Sequence, residues 1–340
     1  MRSNAVIKWL ALGLAFLLGA CSQPPAEVKL AGRTMGTGYH VSFFHDGTLA
    51  LPADIQAEID ARLVEVNNQM SHYQGDSEIS LFNASTSTVP FKISPGFAKV
   101  VGEALRIGRL SGGAYDITLG PVVNLWSFGP EKRPDQVPSD QELAQRLSEV
   151  GQDKLHLSGN ELVKDRGDIN LNLSSIAKGY GVDVVAEYLE SLGIEDYVVE
   201  IGGELRSHGS KPQQQPWRIA IEKPSDGEQA IQEVVTPGNM AVATSGDYRN
   251  YFEENGVRYS HLIDARTGKP IQNRLVSVTV LAPSCMEADG MSTAISVLGP
   301  EQGLALAKDQ GLAVFMIVKT DSGFEERYTD AFKPYLVARD

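Results

Sequence analysis

The sequence predicts an α+β fold in which mixed sheets are interleaved with helices in a single compact domain. Segments with the apolar spacing of helices alternate with strand-like runs, but without the regular spacing of parallel βαβ units. From Lys29 onward there is no long linker, tandem repeat or low-complexity run, so residues 29–340 are expected to form this domain. With 42% hydrophobic and 21% charged residues, the composition is typical of a globular protein.

Five segments carry the signals of helices. Two of them repeat apolar residues with a helical period. Ser139 is a candidate N-cap that is followed by acids in the first turn, and Gly193 is expected to end a later helix. The predicted helices comprise residues 54–70, 97–110, 139–147, 176–193 and 299–311.

Strand-like runs rich in β-branched and aromatic residues lie between the helices. They comprise residues 38–44, 197–203, 217–223, 239–245, 276–282 and 312–318. A further strand is predicted over Arg258–Asp264, ending in the turn sequence Arg-Thr-Gly-Lys-Pro. On a continuous strand Tyr259, His261 and Ile263 would share one face, and the alternate residues would share the other.

The N-terminal 28 residues are predicted to lie outside the domain. Arg2 and Lys8 lead into an apolar run that is too short to cross a bilayer as a helix, as in an export signal. The run ends in Leu-Gly-Ala followed by Cys21, which resembles the lipobox of bacterial lipoproteins. This similarity implies that residues 1–20 are a removed signal peptide and that 21–28 form a lipidated tether. An ordinary signal peptide is the alternative.

Charge and cysteine content argue against several classes of function. The formal net charge of −13 would become more negative if Arg2 and Lys8 were removed, which argues against a nucleic-acid partner. A lipidated Cys21 would leave Cys285 without an intramolecular disulfide partner, and no zinc-binding spacing is present. The dinucleotide fingerprint, the phosphate-binding loop and Gly-x-Ser-x-Gly are also absent.

One set of short motifs keeps a penicillin-interacting serine enzyme open as an alternative. Ser175 and Lys178 form Ser-x-x-Lys, Tyr248 and Asn250 form Tyr-x-Asn, and Arg266-Thr-Gly resembles Lys-Thr-Gly. Each motif is short enough to occur by chance. The interval between the second and third motifs is also short for the structure that such a site requires.

Five glycine-containing polar strings carry a more specific signal, because glycine lets the backbone approach an extended ligand closely. They read RTMGTGYH, GGAYDITLGPVVNLWSFGP, LNLSSIAKGYGVD, EIGGELRSHG, and SGDYRNYF with YSHLIDARTG. Together with APSCMEADGMSTA, and in this order, they resemble the FAD:protein FMN transferases of the ApbE family over residues 33–298. The resemblance implies that FAD is the substrate and Mg²⁺ the cofactor. FMN would pass to a Thr or Ser hydroxyl of an exported or membrane flavoprotein subunit, and AMP would leave.

The same resemblance assigns roles to individual residues. His261 corresponds to the catalytic base. The positions that correspond to FAD-binding residues are Met35, Tyr73, Ala114, Tyr115, Asp116, Asn172, Lys178 and Ile263. The positions that correspond to metal ligands are Ser175 through its main-chain carbonyl, Asp289 and Thr293. Many relatives carry an aspartate at the position of Asn172, and some carry an acid at the position of Ser292. The serine at position 292 leaves the number of metal ions open.

The residue chemistry is consistent with these roles. Asp289 and Thr293 are spaced i and i+4, which places a carboxylate and a hydroxyl on one helix face, as hard ligands for Mg²⁺. An acceptor hydroxyl needs a base, and histidine titrates near neutrality, so His261 is the candidate. Asp264 would lie on the opposite strand face and is expected to cap the following turn.

The family resemblance also implies a location and partners. A periplasmic enzyme with a lipid anchor is expected, with the inner membrane favoured, and with acceptors in the sodium-pumping NADH:quinone reductase or the Rnf complex. Two alternatives of different character stay open. One is an FAD pyrophosphatase that releases FMN and AMP, and the other is a flavin-binding lipoprotein without catalysis.

Overall fold

The computed structural model describes most of the chain after the N-terminal segment. The described ranges are 25–131, 133–223, 230–246 and 251–337. The predicted signal peptide and Cys21 lie outside these ranges, as do Tyr248 and Asn250. The first strand begins at Ala26, so the last three residues of the expected tether belong to the sheet. Within the described ranges no helix is both long and apolar enough to cross a membrane.

An eight-stranded sheet forms the centre of the domain, and every neighbouring pair of its strands is antiparallel. With strands numbered in chain order, the sheet order is β1 (Ala26–Thr34), β2 (Thr37–His45), β6 (Tyr197–Ile201), β7 (Glu204–His208), β10 (Ala241–Gly246), β15 (Leu275–Ala282), β16 (Ala313–Thr320) and β17 (Gly323–Tyr328). Because β1–β2, β6–β7 and β16–β17 are each joined by a two-residue turn, six of the eight strands belong to hairpins.

Smaller sheets surround the central one. Three strands pair in the order β3 (Phe91–Lys92), β5 (Glu161–Lys164) and β4 (Leu155–Ser158). The remaining strands form three pairs, namely β8 (Ile219–Glu222) with β9 (Ile231–Val235), β11 (Tyr251–Glu254) with β12 (Val257–Ser260), and β13 (Ile263–Asp264) with β14 (Lys269–Pro270).

The continuous strand predicted over Arg258–Asp264 is wrong, because the chain leaves the ladder at His261. The Ser260 hydroxyl accepts a hydrogen bond from the Leu262 N–H at 3.2 Å, and the Leu262 carbonyl accepts one from Ile271 N–H at 2.9 Å. These two bonds replace strand pairing and break the alternation of faces. His261 therefore lies in a bend between two hairpins.

Seven α-helices lie in the described ranges. They are α1 (Ile55–Met70), α2 (Glu78–Ala84), α3 (Pro95–Leu110), α4 (Gly120–Leu125), α5 (Asp140–Leu147), α6 (Ala177–Ser191) and α7 (Cys285–Asp309). Ser139 is the predicted N-cap and forms a full capping box with Glu142. The predicted helix 299–311 is the second half of α7, which breaks at Gly299, where φ is +80°, before Pro300.

The main core lies between one face of the sheet and the helices α1, α3, α6 and α7. On the opposite face, β8–β9 and a 3-10 turn at residues 330–335 cover a smaller cluster around Phe315 and Phe332. A separate cluster joins α4 and α5 to the hairpins β11–β14 through Trp126, Phe252 and Ile263. The bend that carries His261 is therefore supported by this separate cluster and not by the main core.

Candidate active site

A cleft of about 560 Å³ opens between the helix layer, the sheet and the β11–β14 hairpins. It receives residues from segments far apart in the sequence. Every residue predicted for the site, except Met35 and the lipidation site, lines this cleft. They are Tyr73, Ala114, Tyr115, Asp116, Asn172, Ser175, Lys178, His261, Ile263, Asp289 and Thr293.

Met35 is not among the cleft-lining residues. It occupies the tight β1–β2 turn with a positive φ of 49°, and its side chain packs against the two main hydrophobic clusters. A Cβ added at Gly181 on α6 would come within 2.7 Å of the Met35 Cε atom. The half-buried side chain therefore fills the space between the turn and α6.

The close approach of α6 and α7 creates the polar floor of the cleft. A Cβ at Gly179 would lie 2.3 Å from the Cys285 carbonyl oxygen, so only glycine permits this approach. The Gly179 N–H donates to Asp289 Oδ2 at 2.9 Å. Asp289 is only 4% exposed, and burial raises the pKa of its carboxyl while the nearby Lys178 ammonium lowers it. A buried carboxylate therefore faces the cleft with a single hydrogen bond from the described residues.

Lys178 forms an ion pair that the sequence analysis did not single out. Its Nζ lies 2.5 Å from Glu204 Oε1 at the start of β7. Burial is the main cause that raises the pKa of Glu204 to about 7, with a further contribution from Asp289 and an opposing one from Lys178. Glu204 belongs to the string EIGGELRSHG, which was the signal available in the sequence. Two carboxyl groups and one ammonium thus share the floor of the cleft.

The loop that precedes α6 is held from below by two side chains. The side-chain NH2 of Asn83 donates to the Leu171 carbonyl at 2.9 Å, and its Oδ1 accepts from the Leu171 N–H at 2.7 Å. Lys164 is 1% exposed and its Nζ donates to the Phe82 and Ile169 carbonyls, both at 3.1 Å. These bonds fix the backbone immediately before Asn172 and Ser175, the residues of this loop that line the cleft.

Within the loop, local bonds set the orientation of the cleft residues. Asn172 Oδ1 accepts from the Ser174 N–H at 2.9 Å, and the Ser175 hydroxyl donates to the Tyr115 hydroxyl at 3.0 Å. Burial raises the pKa of Tyr115. The Ser175 side chain is therefore engaged with the neighbouring wall, which agrees with a metal role for its main-chain carbonyl only.

Asp116 is held in a loop of its own. Its Oδ1 accepts hydrogen bonds from the Thr118 N–H and hydroxyl, both at 2.7 Å, and its Oδ2 accepts one from the Gln152 N–H at 2.9 Å. Burial raises the pKa of Asp116, and these hydrogen bonds partly offset that effect. The carboxylate therefore shapes the wall beside Ala114 and Tyr115 as well as lining the cleft.

His261 enters the cleft from the opposite side, above a group of stacked aromatic rings. Its ring meets Phe128 edge to face, with 6.3 Å between centroids. Tyr259 stacks on Trp126 and on Phe252 beneath it, at 5.5 and 5.2 Å. The expected capping role of Asp264 is confirmed, since its Oδ1 accepts from the Arg266 N–H at 2.9 Å and its carbonyl from Gly268 N–H at 2.7 Å.

Tyr73 forms the rim of the cleft and is 71% exposed. Its ring lies against that of His72, with 4.5 Å between centroids and 39° between planes. An exposed aromatic face beside a large cleft is suited to stacking on a planar ligand.

The donor atoms of the floor fit a hard divalent cation. Asp289 supplies a buried carboxylate, and Thr293 supplies a hydroxyl one helical turn further along α7. In the described ranges no group of three or more His, Cys, Asp or Glu side chains converges. Carboxylate and hydroxyl oxygens are ligands of the kind that magnesium prefers.

The family model of the ApbE family matches residues 35–316. The chain belongs to the ApbE family. A Vibrio cholerae relative named FAD:protein FMN transferase is 54% identical over 96% of this chain and 98% of its own length. A Haemophilus influenzae relative with the same name is 49% identical over 95% and 96%. The sequence-based family prediction is thereby confirmed.

Solved structures of the ApbE family share the fold. The flavin transferase ApbE from Vibrio cholerae is 52% identical, with a TM-score of 0.87 over 92% of this chain and all of that one. The apo flavinyl transferase ApbE from Pseudomonas stutzeri is 39% identical, with a TM-score of 0.86 over 94% and 100%. The predicted single-domain α+β architecture is confirmed by this match and by the mixed helix and sheet content.

Several residues that line the cleft of this ApbE-family chain were missed by sequence reasoning. Glu204 and Ser245 both line the cleft. Ser292, in contrast, is fully buried in α7 and donates its hydroxyl to the Asp289 carbonyl at 2.8 Å. It is therefore not one of the side chains that face the cleft.

Proposed function

We propose that this protein is an Mg²⁺-dependent FAD:protein FMN transferase. It moves FMN from FAD to a Thr or Ser hydroxyl of an exported or membrane flavoprotein subunit and releases AMP. The acceptor is a subunit of the sodium-pumping NADH:quinone reductase or the Rnf type. One observation carries the proposal: His261 on one wall and Lys178, Asp289 and Thr293 on the other line the same cleft.

The size and lining of the cleft support FAD as the ligand. A volume of about 560 Å³ lies in the range of sites for large cofactors. The exposed ring of Tyr73 lies at the rim, and the charged groups lie on the floor. This separation suits a molecule with a planar ring at one end and a pyrophosphate in its middle.

His261 supplies the base for the transfer. A Thr or Ser hydroxyl is a weak nucleophile unless its proton is removed as it attacks. In the proposed step, the acceptor oxygen forms a bond to the FMN phosphorus while the bond from that phosphorus to the bridging oxygen breaks. His261 takes the hydroxyl proton, and the bridging oxygen leaves as part of the AMP phosphate. A general base of this kind contributes about 10² to 10⁴ in rate.

The floor of the cleft supplies charge for the phosphates. Lys178 is held by Glu204 at 2.5 Å, so its ammonium is kept at the floor in one orientation. Asp289, Thr293 and the Ser175 carbonyl would hold Mg²⁺. When bound, the ion would act as a Lewis acid that neutralises negative charge on the pyrophosphate. Lys178 itself stabilises the charge that develops on the leaving phosphate.

Intact-mass analysis of an acceptor domain tests the proposal. The purified protein is mixed with FAD, Mg²⁺ and a candidate acceptor, beside samples with EDTA or with His261→Ala. The expected result is a mass gain equal to FMN minus water that is absent from both controls. FMN and AMP in solution without an adduct would instead identify a pyrophosphatase. FAD retained unchanged with several acceptors would overturn the enzymatic assignment.

We also propose that the protein is exported and held at the periplasmic face of the inner membrane by lipid on Cys21. The support is the sequence order of charge, apolar run, small residues and cysteine. Cell fractionation should find the wild-type protein with the membranes and Cys21→Ser in a form that is not acylated. A mature wild-type chain without lipid would contradict the anchor.

A further inference from the structure

Three hydroxyl groups form a continuous chain at the metal-facing end of α7. Ser245 Oγ, on β10, lies 2.7 Å from Ser292 Oγ and 3.2 Å from Thr293 Oγ1. Ser292 Oγ in turn donates to the Asp289 carbonyl oxygen at 2.8 Å. We refer to Thr293, Ser245 and Ser292 as the hydroxyl chain.

The direction of every hydrogen bond in the hydroxyl chain follows from its last member. A hydroxyl has one hydrogen to donate, and a carbonyl oxygen can only accept. The Ser292 hydroxyl donates its hydrogen to the Asp289 carbonyl, so Ser245 must be the donor to Ser292. Ser245 has then used its own hydrogen, so Thr293 must be the donor to Ser245.

This order fixes the chemical character of Thr293 in the cleft. Its hydrogen points to Ser245, and the oxygen lone pairs that remain are available on the cleft side, where Thr293 is a lining residue. A hydroxyl in this state can accept or ligate but cannot donate. A threonine with a free rotor would instead place its hydrogen in the cleft for part of the time, or bond back to its own helix.

The hydroxyl chain ends on Asp289, the other side chain proposed to hold the cation. The carbonyl that accepts from Ser292 belongs to Asp289, whose carboxylate accepts from Gly179. Asp289 and Thr293 are thereby linked through the buried Ser292 as well as through the helix. Ser292 has no exposed surface, so water does not compete for its hydroxyl.

We propose that Ser245 and Ser292 are positioning residues that turn Thr293 into an acceptor-only ligand for the divalent cation. This inference rests on the metal-dependent function proposed above and assigns a role to two residues outside the predicted ligand set. Residues that orient a metal ligand in this way commonly change metal affinity about 10-fold to 100-fold when they are replaced.

Mn²⁺ titration followed by electron paramagnetic resonance tests the inference directly. The purified protein is titrated with excess FAD and no acceptor, and free Mn²⁺ is measured. Ser245→Ala and Ser292→Ala are each expected to weaken Mn²⁺ binding by about 10-fold. Ser245→Thr keeps the hydroxyl at a half-buried position and should restore wild-type affinity.

Ser296→Ala is the matched control. Ser296 is another buried serine on α7, and its hydroxyl donates to the Ser292 carbonyl, outside the hydroxyl chain. Its replacement should leave Mn²⁺ affinity near that of the wild type. Equal losses in Ser296→Ala and Ser292→Ala would attribute the effect to packing and overturn the inference.

The remaining outcomes separate this inference from the proposed function. Unchanged Mn²⁺ affinity in both Ser245→Ala and Ser292→Ala, with tight binding by the wild type, would overturn the orienting role and leave the metal site intact. Absence of Mn²⁺ binding by the wild type with FAD present would overturn the metal-dependent function, and the inference with it.

Discussion

The two walls of the cleft are stabilised by different kinds of interaction. On the inner wall, formed by α6, α7, β7 and β10, charged groups are buried and bond to one another or to backbone, with Asp289 and Glu204 at 4% and 5% exposure. On the outer wall, formed by α4 and β11–β14, aromatic packing dominates around Trp126 and Tyr259. The inner wall belongs to the main core, whereas the outer wall has a hydrophobic cluster of its own.

The difference indicates a division of labour. Buried polar bonds hold ionic groups in fixed positions in a low-dielectric setting, where they act strongly on phosphates. His261, the proposed base, stands on two short hairpins, each with strands of two to four residues. Charge stabilisation and proton transfer are therefore supported by separate parts of the fold, and substitutions on each wall should affect different measurable quantities.

The largest effect is expected from Asp289→Asn on the inner wall. The amide oxygen can still accept from Gly179, so the melting temperature should change little, but the negative ligand is lost. Transferase activity should fall by at least about 100-fold, with a parallel loss of Mn²⁺ affinity. Glu287→Gln, on the same helix and paired with Arg106 at 2.7 Å, is the control. Retained metal binding in Asp289→Asn would show that the carboxylate is not a ligand.

A smaller effect is expected when the loop that precedes α6 loses the Asn83 side chain that supports it. Asn83→Ala leaves the N–H and carbonyl of buried Leu171 without their partners, at a cost of about 1–3 kcal/mol in the free energy of unfolding. The KM for FAD should rise because the loop carries Asn172 and Ser175. Urea unfolding and steady-state kinetics measure both effects. Leu81→Ala, at a position 53% exposed on the same helix, should change neither.

Trp126→Phe probes the outer wall alone. The substitution keeps an aromatic ring but removes the indole N–H that donates to the Gly268 carbonyl at 2.8 Å. We expect a loss of about 1 kcal/mol in the free energy of unfolding. The kcat should fall because the bend that carries His261 is held less firmly, whereas Mn²⁺ affinity should stay the same. An equal fall in metal affinity would mean that the two walls are mechanically coupled.

The smallest expected effect concerns the pH dependence of stability that arises from His72, next to Tyr73 at the rim of the cleft. Burial lowers the pKa of His72 below its ordinary value of 6.5. The folded state then binds fewer protons than the unfolded state, so this contribution to stability is present above pH 6.5 and is lost as pH falls through the folded pKa.

His72→Gln removes that titration. Its melting temperature should fall less than that of the wild type between about pH 7 and pH 5, with a difference of no more than about 2–4 °C. A His72→Gln profile parallel to the wild type would refute the role of burial.

Local signals in the sequence predicted the elements whose causes are themselves local. The capping box at Ser139 and the glycine stop at Gly193, where φ is +78°, each depend on a few adjacent residues. The spacing of Asp289 and Thr293 also predicted a shared helix face. The bend at His261 escaped prediction because it depends on a bond from Ile271 to Leu262, which no alternation of side chains reveals.

By itself, the sequence determined several of the secondary elements, the family and eleven of the residues that line the cleft, since periodicity, caps and motif order are written along the chain. Only the tertiary structure decided the state of those residues. It placed the half-buried Met35 against α6, raised the pKa of Glu204 through burial, and brought the hydroxyls of Ser245, Ser292 and Thr293 into hydrogen-bond contact. The physical reason is that burial and hydrogen-bond direction depend on partners remote in sequence, such as Gly179 and Asp289, which meet only after folding.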